Sequence, residues 1–217
     1  VTASTTPSTT PSATPPSATL VLASASPARL ATLRSAGVEP VVVVSGVDES
    51  GLEHLPPAEL AGRLAELKRD AVVARTAEVP DGAVVLGCDS VLEIDGTAYG
   101  KPVDADEAVR RWHRMRGRSG VLHTGHALTA TAGGRSVTAV ASTTVHFADV
   151  SDAEVAAYVA TGEPLHVAGA FTLDGLGGAF VRGIEGDPHN VVGVSVPLLR
   201  ELCATVGLRW TDLWRRP

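Results

Sequence analysis

The stretch AVVLGCDSVLEI, residues 83–94, sets the reading of this chain. It is a leucine- and valine-rich run, read as a buried strand broken at Gly87 and followed by a turn at Asp95-Gly96. Asp89 sits inside it. A lone carboxylate in such surroundings is costly to bury without a partner, a metal or a water-filled cleft. Strand ends in open α/β sheets are also where ligand groups gather. The bland alternative is a strand-end Asp making a turn with Ser90.

Outward from this run the pattern alternates. LVLA (20–23) and VVVV (41–44), separated by a segment of helical length, predict a β-α-β start. Leu60, Leu64, Leu67 and Ala71 fall on one helical stripe, and residues 104–115 read as a further helix. The Thr- and Val-rich runs from Val121 to Phe147, around Gly133-Gly134, predict a hairpin. Ser151 with Glu154 three positions on forms a capping box before VAAYVA. GAFVRGIEGD (178–187) suggests one more strand, and VPLLRELCATVG a last helix with Pro197 in its first turn. The expectation is an α/β domain over 19–217 with a mixed sheet flanked by helices. Residues 1–18, VTASTTPSTTPSATPPSA, carry no charge and little to bury, and are expected to form a disordered tail.

Composition excludes several classes. The 217 residues are 44% hydrophobic, enough for a substantial core, and carry a formal net charge of −6, which disfavours binding a nucleic-acid polymer by broad phosphate neutralisation. Cys88 and Cys203 lie far apart with no metal-ligand spacing, which fits a reducing cytoplasm. No apolar run reaches the ~18–20 residues of a membrane span, and the N-terminus lacks a basic and apolar leader pattern. Export and membrane insertion are therefore not expected.

Further residues have the chemistry of an anion site. In SASPAR (24–29) Ser26 is a good N-cap and Pro27 a good first helical residue, so N–H groups and Arg29 would face a bound anion together. Ser-Pro opens many helices, so a plain helix start is the competing reading. GVDES (46–50) offers Asp48 and Glu49 after the second strand; YGKP (99–102) presents Lys101 in a tight turn; Lys68 lies beside the apolar stripe of its helix. Each of these alone would be an ordinary surface residue. His123 and His126 in HTGH are three apart in a predicted strand, on opposite faces, and read as structural or pocket-lining rather than as a metal pair. The glycine-rich VAGAFTLDGLGGAF (167–180), around Asp174, could bring N–H groups to a phosphate, although it has neither P-loop nor dinucleotide-binding spacing.

In order along the chain, LASASPAR, the acids at 48 and 49, LAELKRDA, LGCDSV, GKP, GEPLHVAGAFTLDGLGGAFV and IEGDPHNVVG resemble the Maf family of nucleoside triphosphate pyrophosphatases, from about Leu20 to Gly207. The resemblance implies an inosine triphosphatase-like α/β fold with a deep central cleft, often dimeric, that hydrolyses a nucleoside triphosphate to the monophosphate and pyrophosphate with Mg²⁺ or Mn²⁺. By position it makes Asp89 the proton acceptor or metal ligand, Glu49 a second acid able to share the metal, and Lys68 and Lys101 the phosphate-side lysines. It places Ser24, Ser26, Arg29, Ser90 and Asp174 on the substrate. The chain departs from the family pattern at Ala28, Ser90, Gly120, Val167 and Asp174, and three of these, Ala28, Ser90 and Asp174, fall where the resemblance links residues to base choice. Housecleaning of non-standard or modified nucleotides is the implied role, with a catalytically weak nucleotide-binding regulator of septum formation as the alternative.

Overall fold

The apolar runs become strands of one mixed sheet in a computed structural model that describes residues 18–215. Of the expected tail, residues 1–17 lie outside the described residues; Ala18 is inside them, and its N–H donates to the Asp212 carbonyl at 3.0 Å. In chain order the elements are β1 (Leu20–Leu22), α1 (Pro27–Ser35), β2 (Val41–Val42), α2 (Pro57–Val73), β3 (Val84–Ile94), β4 (Thr97–Tyr99) and α3 (Ala105–Met115). They continue with β5 (Ser119–Ala130), β6 (Arg135–Phe147), α4 (Asp152–Ala160), β7 (Val181–Glu185), α5 (Pro188–Val192) and α6 (Val196–Thr205). The sheet runs β2-β1-β3-β5-β6-β7, with β4 added to β3. β1 is parallel to β2 and to β3, as a helical crossover requires, and the hairpin strands β5 and β6 are antiparallel.

Alternation along β1 sorts the interior. Leu20 and Leu22 point to a core with Leu33 of α1, Leu86, Leu128 and Leu199 of α6, whereas Val21 and Ala23 point to the other face with Val85 and Val72 of α2. A separate core gathers Leu92, Trp112, Leu122, Phe147 and Tyr158. There the Trp112 ring meets Phe147, Tyr158 and Phe180 edge-on at 5.6–5.9 Å between centroids, and its indole N–H donates to the Ala170 carbonyl at 2.8 Å.

β3 belongs to both bodies. Its first residues pair with β1, and Leu92–Ile94 pair with β4. β1 and β4 lie on the same side of it, since β5 runs along the other. Between Gly87 and Val91, therefore, no strand among the described residues covers that edge, and the gap leaves this segment of β3 open.

Three expectations are corrected. β3 is not broken at Gly87 but runs through it, because the glycine is needed for close packing rather than for a bend. A Cβ on Gly87 would stand 2.2 Å from the Ala65 carbonyl oxygen, and one on Gly125, on the adjacent strand, 2.1 Å from that of Ala61. The same approach rotates α2: its buried face is Ala61, Leu64, Ala65 and Val72, while Leu60, Leu67 and Ala71 stay half-exposed. Only small residues fit where a helix lies on strand backbone. Finally, the strand expected over 178–187 shortens to Val181–Glu185, since Leu176–Phe180 is wound as a 3₁₀ turn. The capping box at Ser151 and Glu154 forms as read.

The two histidines do face opposite ways. His123 bonds Ser142 and Glu93, each at 2.8 Å. His126 is fully buried; its Nε2 accepts the Ser195 N–H at 2.8 Å, so its Nδ1–H donates to the Thr124 carbonyl at 2.9 Å.

Two stability measurements follow from this packing. Gly125→Ala must push α2 off the sheet, and its loss in chemical denaturation should lie at or above the top of the roughly 1–3 kcal/mol range for overpacking. Desolvation depresses His126 from 6.5 to about 4. The unfolded chain thus takes up a proton that the folded one refuses, and stability should fall as pH drops from 6.5 toward 4, by about 3 kcal/mol at the lower end. Denaturation of His126→Gln, which cannot titrate, should show a flatter profile across that interval.

Candidate active site

Asp89 and Ser90 lie on the uncovered segment of β3 and, as strand neighbours, point to opposite faces. On the α2 face, Lys68 stands one helical turn beyond Ala65, and Asp89 two residues beyond Gly87. Their ion pair is therefore set by the backbone contact beneath it. The Lys68 ammonium bonds Asp89 Oδ1 and also Glu49 Oε1 at 2.8 Å. Lys68 and Asp89 side chains are 12% and 14% exposed and Glu49 49%, so a sheltered pair is joined by an acid from a surface loop. Arg75 grips the Val44 and Ser45 carbonyls that lead into this loop. Of the two adjacent acids only Glu49 reaches the cluster; Asp48 accepts the Ser50 N–H at 3.0 Å, and that bond holds its carboxyl below the usual range.

On the other face, Arg29 ties the segments together. Ser26 caps α1 as expected, accepting the Arg29 N–H at 3.3 Å, with Pro27 in the first turn. The guanidinium donates from Nη1 to Ser24 Oγ at 3.0 Å, from Nη2 to Ser90 Oγ at 2.9 Å and from Nε to the Gly193 carbonyl at 2.7 Å. One N–H remains on each Nη for a ligand. Ser24 Oγ also takes the Ser26 N–H at 3.2 Å. Behind Ser90 the network continues through Thr124 Oγ1 at 2.9 Å to the Asn190 carbonyl at 3.1 Å.

Asn190 is buried, its Nδ2 donating to the Leu122 carbonyl and to Thr143 Oγ1. Thr124, Asn190 and Gly193 were not singled out from the sequence. Their signal lay in HTGH, where the histidines drew attention from the threonine, and in IEGDPHNVVG, which supported the resemblance without assigning roles.

Lys101 and Asp174 are not brought into this network by any hydrogen bond or ion pair among the described residues. Lys101 follows β4, whose antiparallel register pairs Tyr99 with Leu92, so the chain beyond Tyr99 heads along β3 toward Ser90. Its side chain is exposed. Asp174 is exposed on the glycine-rich loop.

The N–H groups of that loop do not await a phosphate. Those of Leu176 and Gly177 donate to the Glu163 carboxylate, each at 3.1 Å, as do the Tyr158 hydroxyl at 3.0 Å and the Thr172 hydroxyl. Partial burial acts to raise the Glu163 carboxyl, but these bonds outweigh it and hold the group below the ordinary range. The expected anion nest exists, and the chain fills it itself.

Cys88, beside Asp89, is no nucleophile, because full burial pushes its thiol up to about 12. A groove of about 660 Å³ between α6 and the C-terminal Trp210 and Trp214 has two arginines and no carboxylate in its lining, so it offers no acid-base chemistry. No group of three or more His, Cys, Asp or Glu among the described residues could hold a metal. Asp89 and Glu49 each place an oxygen on the Lys68 ammonium, and the two are the carboxylates of this cluster. They suit a hard cation such as Mg²⁺ that keeps water and substrate oxygens as its remaining ligands.

A family model described as Maf-like protein matches residues 19–206. A nucleoside triphosphate pyrophosphatase of Salinispora tropica is 62% identical over 198 residues, covering 91% of this chain and 88% of that protein. One of Streptomyces coelicolor is 60% identical, covering 90% and 94%, and one of Thermosynechococcus vestitus 51% identical, covering 89% and 96%. A solved structure, the Ham1 protein of Staphylococcus aureus, aligns with a TM-score of 0.41 at 14% identity over 60% of this chain and 72% of that one. The match across residues 19–206, with relatives 51–62% identical over most of their length, shows that the chain belongs to the Maf family.

Proposed function

We propose that the site around Asp89 hydrolyses a nucleoside triphosphate between its α- and β-phosphates, releasing the monophosphate and pyrophosphate. The observation that carries this reading is Asp89, held by Lys68 beside Glu49 on the uncovered segment of β3. Water attacks the α-phosphorus while the bond to the bridging oxygen breaks; the pyrophosphate leaves with that electron pair, and the proton lost by water goes to Asp89. Asp89 suits the base role because it projects from a rigid strand. Mg²⁺ or Mn²⁺, held by Glu49 and Asp89, would supply charge neutralisation on the triphosphate.

Lys68 has three N–H groups. With one on each carboxylate, the third is free for a phosphate oxygen. Lys101 serves the phosphates from the β4 side, and Arg29, oriented by Ser24, Ser90 and the Ser26-capped helix, from the β1 side. Asp174 faces the nucleoside. We further read the enzyme as cytoplasmic and as acting on non-standard or modified nucleotides; the free thiols of Cys88 and Cys203 support the compartment. No helix among the described residues is long and apolar enough to cross a membrane. A homodimer is supported by the exposed Val41, Val42 and Val44 on and beside edge strand β2, and light scattering reads it.

A panel of standard and modified nucleoside triphosphates with Mg²⁺ or Mn²⁺ should yield pyrophosphate and monophosphate. Orthophosphate as product, or no turnover on any base, counts against the assignment. Asp89→Asn should lose at least about 10²-fold in kcat, as expected for removing a general base. Tight nucleotide binding with an unchanged Asp89→Asn rate would favour the regulatory alternative. Deleting residues 1–18 should leave kcat/KM unchanged in the same assay.

A further inference from the structure

Arg111, on α3, is 8% exposed, unusual for a guanidinium. Its Nε and Nη2 bond Glu107 Oε1, one helical turn earlier. On a helix surface such a pair would be a solvated ornament of little energy. Here the remaining donors point inward, Nη1 to the Gly100 carbonyl and Nη2 to that of Lys101 at 3.4 Å, while the guanidinium carbon lies 5.3 Å from the centre of the Tyr99 ring. Glu107 in turn accepts the Val103 N–H at 2.7 Å, and Asp104 caps the helix by accepting the Glu107 N–H at 2.7 Å. From the other side the Gly169 N–H donates to the Gly100 carbonyl at 3.0 Å. The turn from Gly100 to Asp104 is thus held at the Gly100, Lys101 and Asp104 carbonyls and the Val103 N–H, although Lys101, the residue it displays, is itself exposed.

We propose that Arg111, with Glu107, is a positioning residue for Lys101: its grip on the two carbonyls flanking the Lys101 nitrogen and carbon fixes where the lysine leaves the backbone. The inference rests on the reading of Lys101 as a triphosphate contact. Burying a guanidinium is costly unless its N–H groups are satisfied and its charge is balanced; here four of the five N–H groups find an acceptor in this turn or in Glu107, whose carboxylate balances the charge. The pairing also prevents a second uncompensated cation from repelling the lysine. A lysine at 111 could pair with Glu107 but could not span two carbonyls.

The test uses the purified full chain with a turned-over nucleoside triphosphate and Mg²⁺. Arg111→Met and Arg111→Lys are measured alone and combined with Lys101→Ala, alongside deuterium exchange of the peptide spanning the 100–104 turn. With Lys101 present, each Arg111 variant should lower kcat/KM by about tenfold and speed exchange of the turn; with Lys101→Ala the further loss should be under about twofold, since misplacing an absent group costs nothing. Arg111→Lys retains the charge and guards against simple failure to fold. Equal losses in both backgrounds, a wild-type kcat/KM for Arg111→Lys, or unchanged exchange of the turn would overturn the positioning role. A wild-type rate for Lys101→Ala alone overturns the assignment of Lys101 instead, a failure the exchange measurement keeps separate.

Discussion

The contact on which the site depends is backbone against backbone: α2 lies on β3 and β5 so closely that neither Gly87 nor Gly125 has room for a methyl group. A helix normally stands off a sheet by the depth of two side chains. Here one layer of side chains is removed, and residues just beyond the contact are drawn within ion-pair distance of each other. Lys68 meets Asp89 for this reason. The requirement reaches back into the helix sequence as well, since Ala61 and Ala65 must occupy the buried face while Leu60 and Leu67 are turned toward the rim.

The second constraint is the disposition of β3. Its ends are buried in separate cores, and among the described residues the stretch between them has a strand partner on one edge only. A carboxylate and a hydroxyl on successive residues of that stretch serve opposite faces of the sheet, so the acidic cluster and the arginine network are built back to back. Electrostatically this separates two tasks. Lys68 compensates Asp89 and Glu49 on one face, while among the described residues Arg29 is oriented by the neutral oxygens of Ser24, Ser90 and Gly193, none of which compensates its charge. A cation solvated only by dipoles retains its attraction for an incoming anion.

Much of this was legible in the sequence because local rules and tertiary demands coincide. The β-branched runs, the Ser26 and Ser151 caps, the hairpin at Gly133-Gly134 and the odd carboxylate at Asp89 all announce themselves within a few residues. What stayed hidden depended on partners far along the chain. Gly87 looks like a strand break until Ala65 lies over it. Glu107 and Arg111 look like any exposed helical pair until the carbonyls of Gly100 and Lys101 arrive. Leu60, Leu64, Leu67 and Ala71 form a sound stripe by periodicity, yet only Leu64 of the four is buried, because α2 turns Ala61 and Ala65 onto the strand backbone. Thr124 and Asn190 sit in stretches whose other residues draw the eye; their importance comes from hydrogen bonds spanning 34 to 68 positions, to Ser90, to Leu122, to Thr143 and to each other.

Glu163 shows how a strong local signal can be answered from within. A glycine-rich turn with inward N–H groups attracts any anion, and in solution phosphate would compete for it. A carboxylate tethered 13 residues from the Leu176 N–H is present at an effective concentration that free phosphate does not match, and it brings the Tyr158 and Thr172 hydroxyls as further donors to its bound state. The loop is therefore a receptor with its ligand already attached by the chain. An external anion could occupy it only by evicting Glu163, and with it the fold of the segment that carries Asp174.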